Sequence, residues 1–292
     1  SRTKLGTADE ELDLSGAHLS YGDFEEATFQ GKLVKLNEIG LAHADLSGSN
    51  VTASGSIDFT DANLSHADLS GSKVSAEGSY GDAIISFIGA NLDHADLSGS
   101  ELSAEGYDAS LIDFSGANLA HADLGGSKLT ADGREEATIE FTEADLANAN
   151  LRGSKLTAIS SYADATIDFT QADLTHADLS GSELTAEGYD ASLIDFTQAD
   201  LTHADLSGSE LSAEGDDDDA ASLIDFTQAD LAHADLSGSK LASTTGNGNA
   251  TINFLEANLT NADLSGTEVS AVSITYGDAI LDLTAADLTN AD

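Results

Sequence analysis

The chain has 292 residues, with 53 Asp and Glu against 10 Lys and Arg, a net charge of −43, and no Cys, Met, Trp or Pro. Without cysteine there is no disulfide frame, thiolate nucleophile or cysteine-ligated zinc, and so acidic a chain repels nucleic acid and anionic lipid. The imbalance fits a very salty medium, cation binding or a basic partner surface, and no apolar run approaches the ~20 residues that span a bilayer.

The chain begins at Ser1 without Met, which points to a processed product or a fragment. From Leu14 onward, large apolar residues recur in steps of five, in sets that begin at Leu14, Leu36, Phe59, Phe87 and Phe114. Further sets begin at Phe141, Phe169, Phe196, Phe226 and Phe254, with an incomplete one at Leu283. One set reads Phe169, Leu174, Leu179, Leu184. A small residue stands two places before most of these Leu: Ala at the two middle positions, as in Ala172 and Ala177, and Ser at the fourth, as in Ser182. A step of five fits neither a helix nor one long alternating strand. It fits a chain that turns a corner every five residues and points residues i−2 and i inward. The sixteen residues 169–184 recur letter for letter at 196–211, so the same local shape is being built again. A lone turn of such a chain buries too little apolar surface to fold, whereas stacked copies share ladders and core.

These units, "ADLTH", "ADLSG", "ANLAH" and "ADLGG", make the chain resemble the pentapeptide-repeat family, whose unit is A(D/N)LXX. The resemblance implies an all-β fold: a right-handed parallel β-helix, four-sided, of about ten coils. It covers nearly the whole chain as one domain, 1–292. Family coils use about twenty residues, whereas the sets here are 22 and 23 residues long within 1–58 and 27 to 30 over 59–292. We read this as a four-sided coil with a corner insertion after the fourth side, as in "AEGYDASLID". Length varies there, as expected of a surface loop. The competing reading is a larger coil with the insertion folded into the wall. "SLIDFT" is the best β-strand of each coil. At ~4.8 Å per coil the stack stands ~50 Å tall. Gly71, Gly99, Gly126, Gly153, Gly181, Gly208, Gly238 and Gly266 recur at one corner, which needs positive φ or lacks room for a Cβ.

Stacking turns a repeated outward residue into a stripe. The first acidic stripe runs Asp68, Asp96, Asp123, Asn150, Asp178, Asp205, Asp235, Asp263. A second includes Asn118, Asp145, Asp173 and Asp200, and a third, before each Phe, includes Asp113, Glu140, Asp168 and Asp195. Like charges one strand apart repel even in water. Salt, bound Ca²⁺ or monovalent cations, or raised carboxyl pKa values would offset this. The plainer reading is that Asp and Asn hydrogen-bond to the coils and carry no specific metal. A histidine column, His43, His66, His94, His121, His176, His203 and His233, has Asn148 and Asn261 in the same phase. It could bind a transition metal. Read plainly, it is a stacked polar column in which Asn replaces His.

"HADLS" carries Ser, His and Asp, but a triad needs a unique convergent geometry, so no catalytic residue and no cofactor is assigned. "GNGNAT" at 246–251 reads as a loop, and "DDDD" at 216–219 as a solvated acidic loop that could grip calcium. The expected role is structural: a rigid acidic solenoid of an extracellular or cell-surface fibre, stalk or adhesin, associating with itself end to end or side by side. The alternatives are a mimic of DNA acting on a topoisomerase, which the family resemblance implies, and a calcium-dependent adhesin segment.

Overall fold

The computed structural model describes residues 3–215 and 220–292. Among them there is no helix, and every regular element is a strand of one of two eleven-stranded parallel sheets. The first sheet runs from Lys4–Leu5 to Glu268–Ser273 and the second from Glu11–Asp13 to Ala279–Asp282, each coil adding one strand to each sheet. Between the sheets run two further ladders, one residue wide. Asp173 pairs Asp200 on one, and Asp178 pairs Asp205 on the other. The coil is thus four-sided, as expected, and the apolar steps of five are its inward corners: Phe169, Leu174, Leu179 and Leu184 are all buried.

The core is a set of vertical files. From Phe59 to Phe254 the eight phenylalanines stack with centroids 4.7–5.0 Å apart and planes within 4° of parallel. That spacing is the strand spacing itself, so the ring stack and the hydrogen-bond ladders share one repeat. The inward small residues let the walls close on the large ones. Ala172 and Ala177 are buried beside the Leu files, and Ser182 takes the same slot on the fourth side.

Three of the four corners are four-residue turns closed by an i to i+3 bond. Ala172, Ala177 and Ser182 donate their N–H groups to the carbonyls of Phe169, Leu174 and Leu179. The third residue of each turn has positive φ, and its N–H reaches into the next coil, as Gln171 to the Thr197 carbonyl at 2.9 Å and His176 to the Thr202 carbonyl at 3.0 Å. Backbone groups at the corners are therefore bonded within the coil and along the stack.

The corner insertion differs from the expected surface loop. "ELTAEG", Glu183–Gly188, is one continuous strand, and "ASLID", Ala191–Asp195, is the next, with only Tyr189 and Asp190 between them. Both are paired with the coils above and below along most of their length. The two strands pack on each other, so the insertion forms a two-layer wing of the wall. This is the competing reading, confined to one corner. Small residues make it possible. The Gly188 N–H donates to Ser192 Oγ at 2.8 Å, and Ser192 Oγ donates to the Glu214 carbonyl at 2.5 Å, a clip repeated at Gly106, Ser110 and Asp132. The variable length collects in the wing tip, two residues at Tyr107–Asp108 and four at Ser79–Asp82. The "DDDD" run lies outside the described residues.

Candidate functional site

The predicted stripes are real columns. The first acidic stripe is the ladder Asp68, Asp96, Asp123, Asn150, Asp178, Asp205, Asp235, Asp263, each residue bridged to the next. The second, from Asn63 to Asn258, is the ladder beside it. The third is the last residue of each second-sheet strand, with Asp113 paired to Glu140, Glu140 to Asp168 and Asp168 to Asp195.

The carboxylates do not point freely outward. Asp178 Oδ1 accepts the N–H of Ser180 at 2.9 Å and its hydroxyl at 2.5 Å; Asp173 Oδ1 accepts both groups of Thr175 at 2.9 and 2.7 Å. Each Asp thus shapes the turn that follows it. The Asn substitutions serve the same ladders as donors. Asn150 Nδ2 donates to Asp123 Oδ1 at 2.8 Å, and Asn258 Nδ2 to Asp230 Oδ1 at 2.9 Å. In the third column burial raises the carboxyl pKa of Asp195, and the neighbouring Asp168 and Asp225 push it the same way against the hydrogen bonds from Thr197. Burial likewise raises Glu140, with Asp113 and then Asp168 adding to it. On exposed coils the balance reverses: the Ser265 hydroxyl holds Asp263 down, and Thr284 and Thr289 do so for Asp282 and Asp287.

The histidines occupy the positive-φ position of the second turn, with φ of 55–61° from His43 to His233. Asn148 and Asn261 share it at 58°. His and Asn are among the non-glycine residues best tolerated there, which explains their exchange. Their rings stack: His43 on His66 at 4.7 Å and 2°, His176 on His203 at 4.9 Å and 5°, His203 on His233 at 4.7 Å and 12°. The ladder breaks at Asn148. Within "HADLS" the Ser180 hydroxyl bonds Asp178 and the His176 ring lies on His203, so the three residues build a turn and a stack, with no relay to a nucleophile.

Three columns escaped the sequence reading. Along the outer start of the first sheet, Lys73, Glu101, Lys128, Lys155, Glu183, Glu210, Lys240 and Glu268 stand in register. Four of the ten basic residues are spent there, and Lys155 meets Glu183 at 2.8 Å and Lys240 meets Glu210. At the first turn, Gln171, Gln198 and Gln228 form an amide ladder that ends on Glu256, with bonds of 2.7–2.9 Å. At the wing tip the guanidinium of Arg134 lies between the rings of Tyr107 and Tyr162, 4.8 and 4.7 Å from their centroids. The signal for all three was the coil-to-coil spacing applied beyond the Asp and His positions.

This geometry, a four-sided coil with Asp-led turns and a Phe/Leu core, defines a class. The family model for pentapeptide repeats matches the chain in eight copies, over residues 56–75, 167–186 and 190–213. Over those residues the chain carries pentapeptide repeats, and as a whole it winds as a β-solenoid. Among solved structures it is similar to HetL, a pentapeptide repeat protein involved in heterocyst differentiation regulation from the cyanobacterium Nostoc sp., at 21% identity over 98% of this chain and 90% of that one, with a TM-score of 0.25. It is also similar to QnrB1, a plasmid-mediated fluoroquinolone resistance protein, at 15% identity over 92% and 94%, with a TM-score of 0.25. A pentapeptide repeat protein of the Arabidopsis thaliana thylakoid lumen matches at 20% identity over 65% of each chain, with a TM-score of 0.12. No curated protein matches the sequence.

Proposed function

We propose that the chain is a non-enzymatic structural element, a stiff acidic strut of an extracellular or cell-surface fibre, stalk or adhesin that associates with itself by coil stacking. The observation that carries this reading is continuity. From Phe59 to Phe254 the same core files and the same Asp and Asn ladders run from coil to coil, so this stretch is one repeated wall with its Asp and Asn side chains committed to turns and ladders. The last coil presents Val269, Val272, Ile280, Leu281, Leu283 and Leu288 at 36–50% exposure, beside strand edges with no partner on that side. A face of this kind is met by a further coil, of a longer chain or of a second copy.

Negative-stain electron microscopy and light scattering of chain 1–292, at low and molar salt, test this. Rods that join into filaments of uniform width are expected, and Leu281→Lys with Leu288→Lys should return them to single rods. Single rods at every concentration and salt would overturn the assembly. A second reading, a mimic of DNA acting on a topoisomerase, is supported by the closely spaced carboxylate columns and the charge of −43. Inhibition of a DNA gyrase by the purified chain would favour it over the strut.

A further inference from the structure

One rung of the histidine ladder differs from the rest. His94 is tilted by 34° against His66 and by 40° against His121, although the centroids keep 4.9 and 4.6 Å. The other histidine pairs lie within 12° of parallel. The cause is Asp93, whose Oδ1 is 2.7 Å from His94 Nδ1. The position before the histidine is otherwise apolar or a hydroxyl residue, as at Ser65, Ala120, Thr175 and Thr202, so Asp93 is the single carboxylate of its column. The backbone fixes the cluster, since His66 N–H donates to the Asp93 carbonyl at 2.9 Å and His94 N–H to the Ala120 carbonyl at 3.0 Å.

One ligand atom from each of His66, Asp93 and His94 lies within 4.8 Å of the others. We propose that these three residues bind one transition-metal ion of the Zn²⁺, Ni²⁺ or Cu²⁺ type, with solvent completing its shell. Two imidazoles and one carboxylate suit such ions. Calcium, which takes six to eight oxygens, finds too few here. Metal bonds of ~2.0–2.1 Å would draw the ligand atoms somewhat closer together. The side chains of His94 and Asp93 are 49% and 33% exposed and His66 is exposed, so small rotations achieve this without moving the wall. The surrounding negative charge raises the local cation concentration. The run His176, His203, His233 has Thr175, Thr202 and Ala232 before its rings and supplies an internal control.

Titration calorimetry of the full chain with ZnCl₂, repeated with Cu²⁺ and read by electron paramagnetic resonance, tests the assignment. One site per chain is expected. Asp93→Ala and His94→Asn should each weaken it by at least about tenfold, while His203→Asn leaves it unchanged and Ca²⁺ fails to compete. Asn is native to this column at Asn148 and Asn261, so the His→Asn variants keep the turn, and unchanged melting of the metal-free variants confirms it. An affinity untouched by Asp93→Ala, an equal loss in His203→Asn, displacement by Ca²⁺, or no uptake of Zn²⁺ would each overturn the site.

Discussion

Gly181 and Gly188 stand seven residues apart and answer to different constraints. Gly181 has φ +63° and nothing within 4 Å of where a Cβ would be, so its constraint is conformational. At other corners the same conformation is held by Gln171 and His176, which shows that a side chain is tolerated. Gly188 has an ordinary φ, but a Cβ there would stand 1.9 Å from the Ala191 carbonyl oxygen, where the two layers of the wing meet. Gly181→Ala should therefore cost about 1 kcal/mol, and Gly188→Ala several times more, since backbone must move. Urea denaturation of the two variants checks the order. A third residue-scale outcome concerns the fourth-side serines. Ser182 and Ser209 are buried and their hydroxyls have no partner among the described residues, while Ala fills the equivalent slot on the two middle sides. Ser182→Ala and Ser209→Ala should each be neutral or stabilising by up to about 1 kcal/mol, seen as an unchanged or higher Tm.

At the scale of the strand and the ladder, the third acidic column sets the response to pH. Asp195 and Glu140 have carboxyl pKa values raised by burial, so the folded state takes up protons more readily than the unfolded chain. Their ionised forms penalise the fold at neutral pH, and that penalty lifts as pH falls through the raised values toward the ordinary 3.8 and 4.5. Asp263, Asp282 and Asp287 behave oppositely: hydroxyl donors lower their pKa, and the stability they add is lost as pH falls below 3.8 through the lowered values. Thermal melts across pH should show Tm rising on mild acidification and dropping below that range. Asp195→Asn should flatten the rise and leave the drop. The ladders themselves were legible in the sequence because Asp113, Glu140 and Asp168 each stand one place before the Phe that opens a coil. The wing was less so. Its strands meet at Gly, Ala and Ser, which read as loop residues, and only the bonds that the Gly106 and Gly188 N–H groups donate to Ser110 and Ser192 across the two layers show why small polar residues are needed there. The histidine phase was visible too, but the backbone conformation that admits His and Asn alike was not.

The whole molecule balances a core that is continuous along one axis against charge that is continuous along the same axis. Among the described residues, side chains of opposite sign meet at Lys155 with Glu183 and Lys240 with Glu210 on the first sheet and at Lys35 with Glu11 on the second, and the ladders as a whole keep a large negative excess. At molar ionic strength the screening length is ~3 Å, shorter than one strand spacing, so neighbouring carboxylates of a column are shielded from each other. The Tm of the chain should therefore climb between low and molar NaCl, and an unchanged Tm would mean that the turn hydrogen bonds already neutralise the columns.

Coil-to-coil register follows from the alignment of Asp168 with Asp195 and of Phe169 with Phe196. Excising residues 169–195 would join Asp168 to Phe196 and leave every file unbroken, with the rod shorter by a single step of ~4.8 Å. The duplicated sixteen-residue phrase, 169–184 and 196–211, keeps the sequence continuous across such an excision or its reverse. The reach of this protein can thus be reset in whole-number increments, without redesigning any wall, corner or charge.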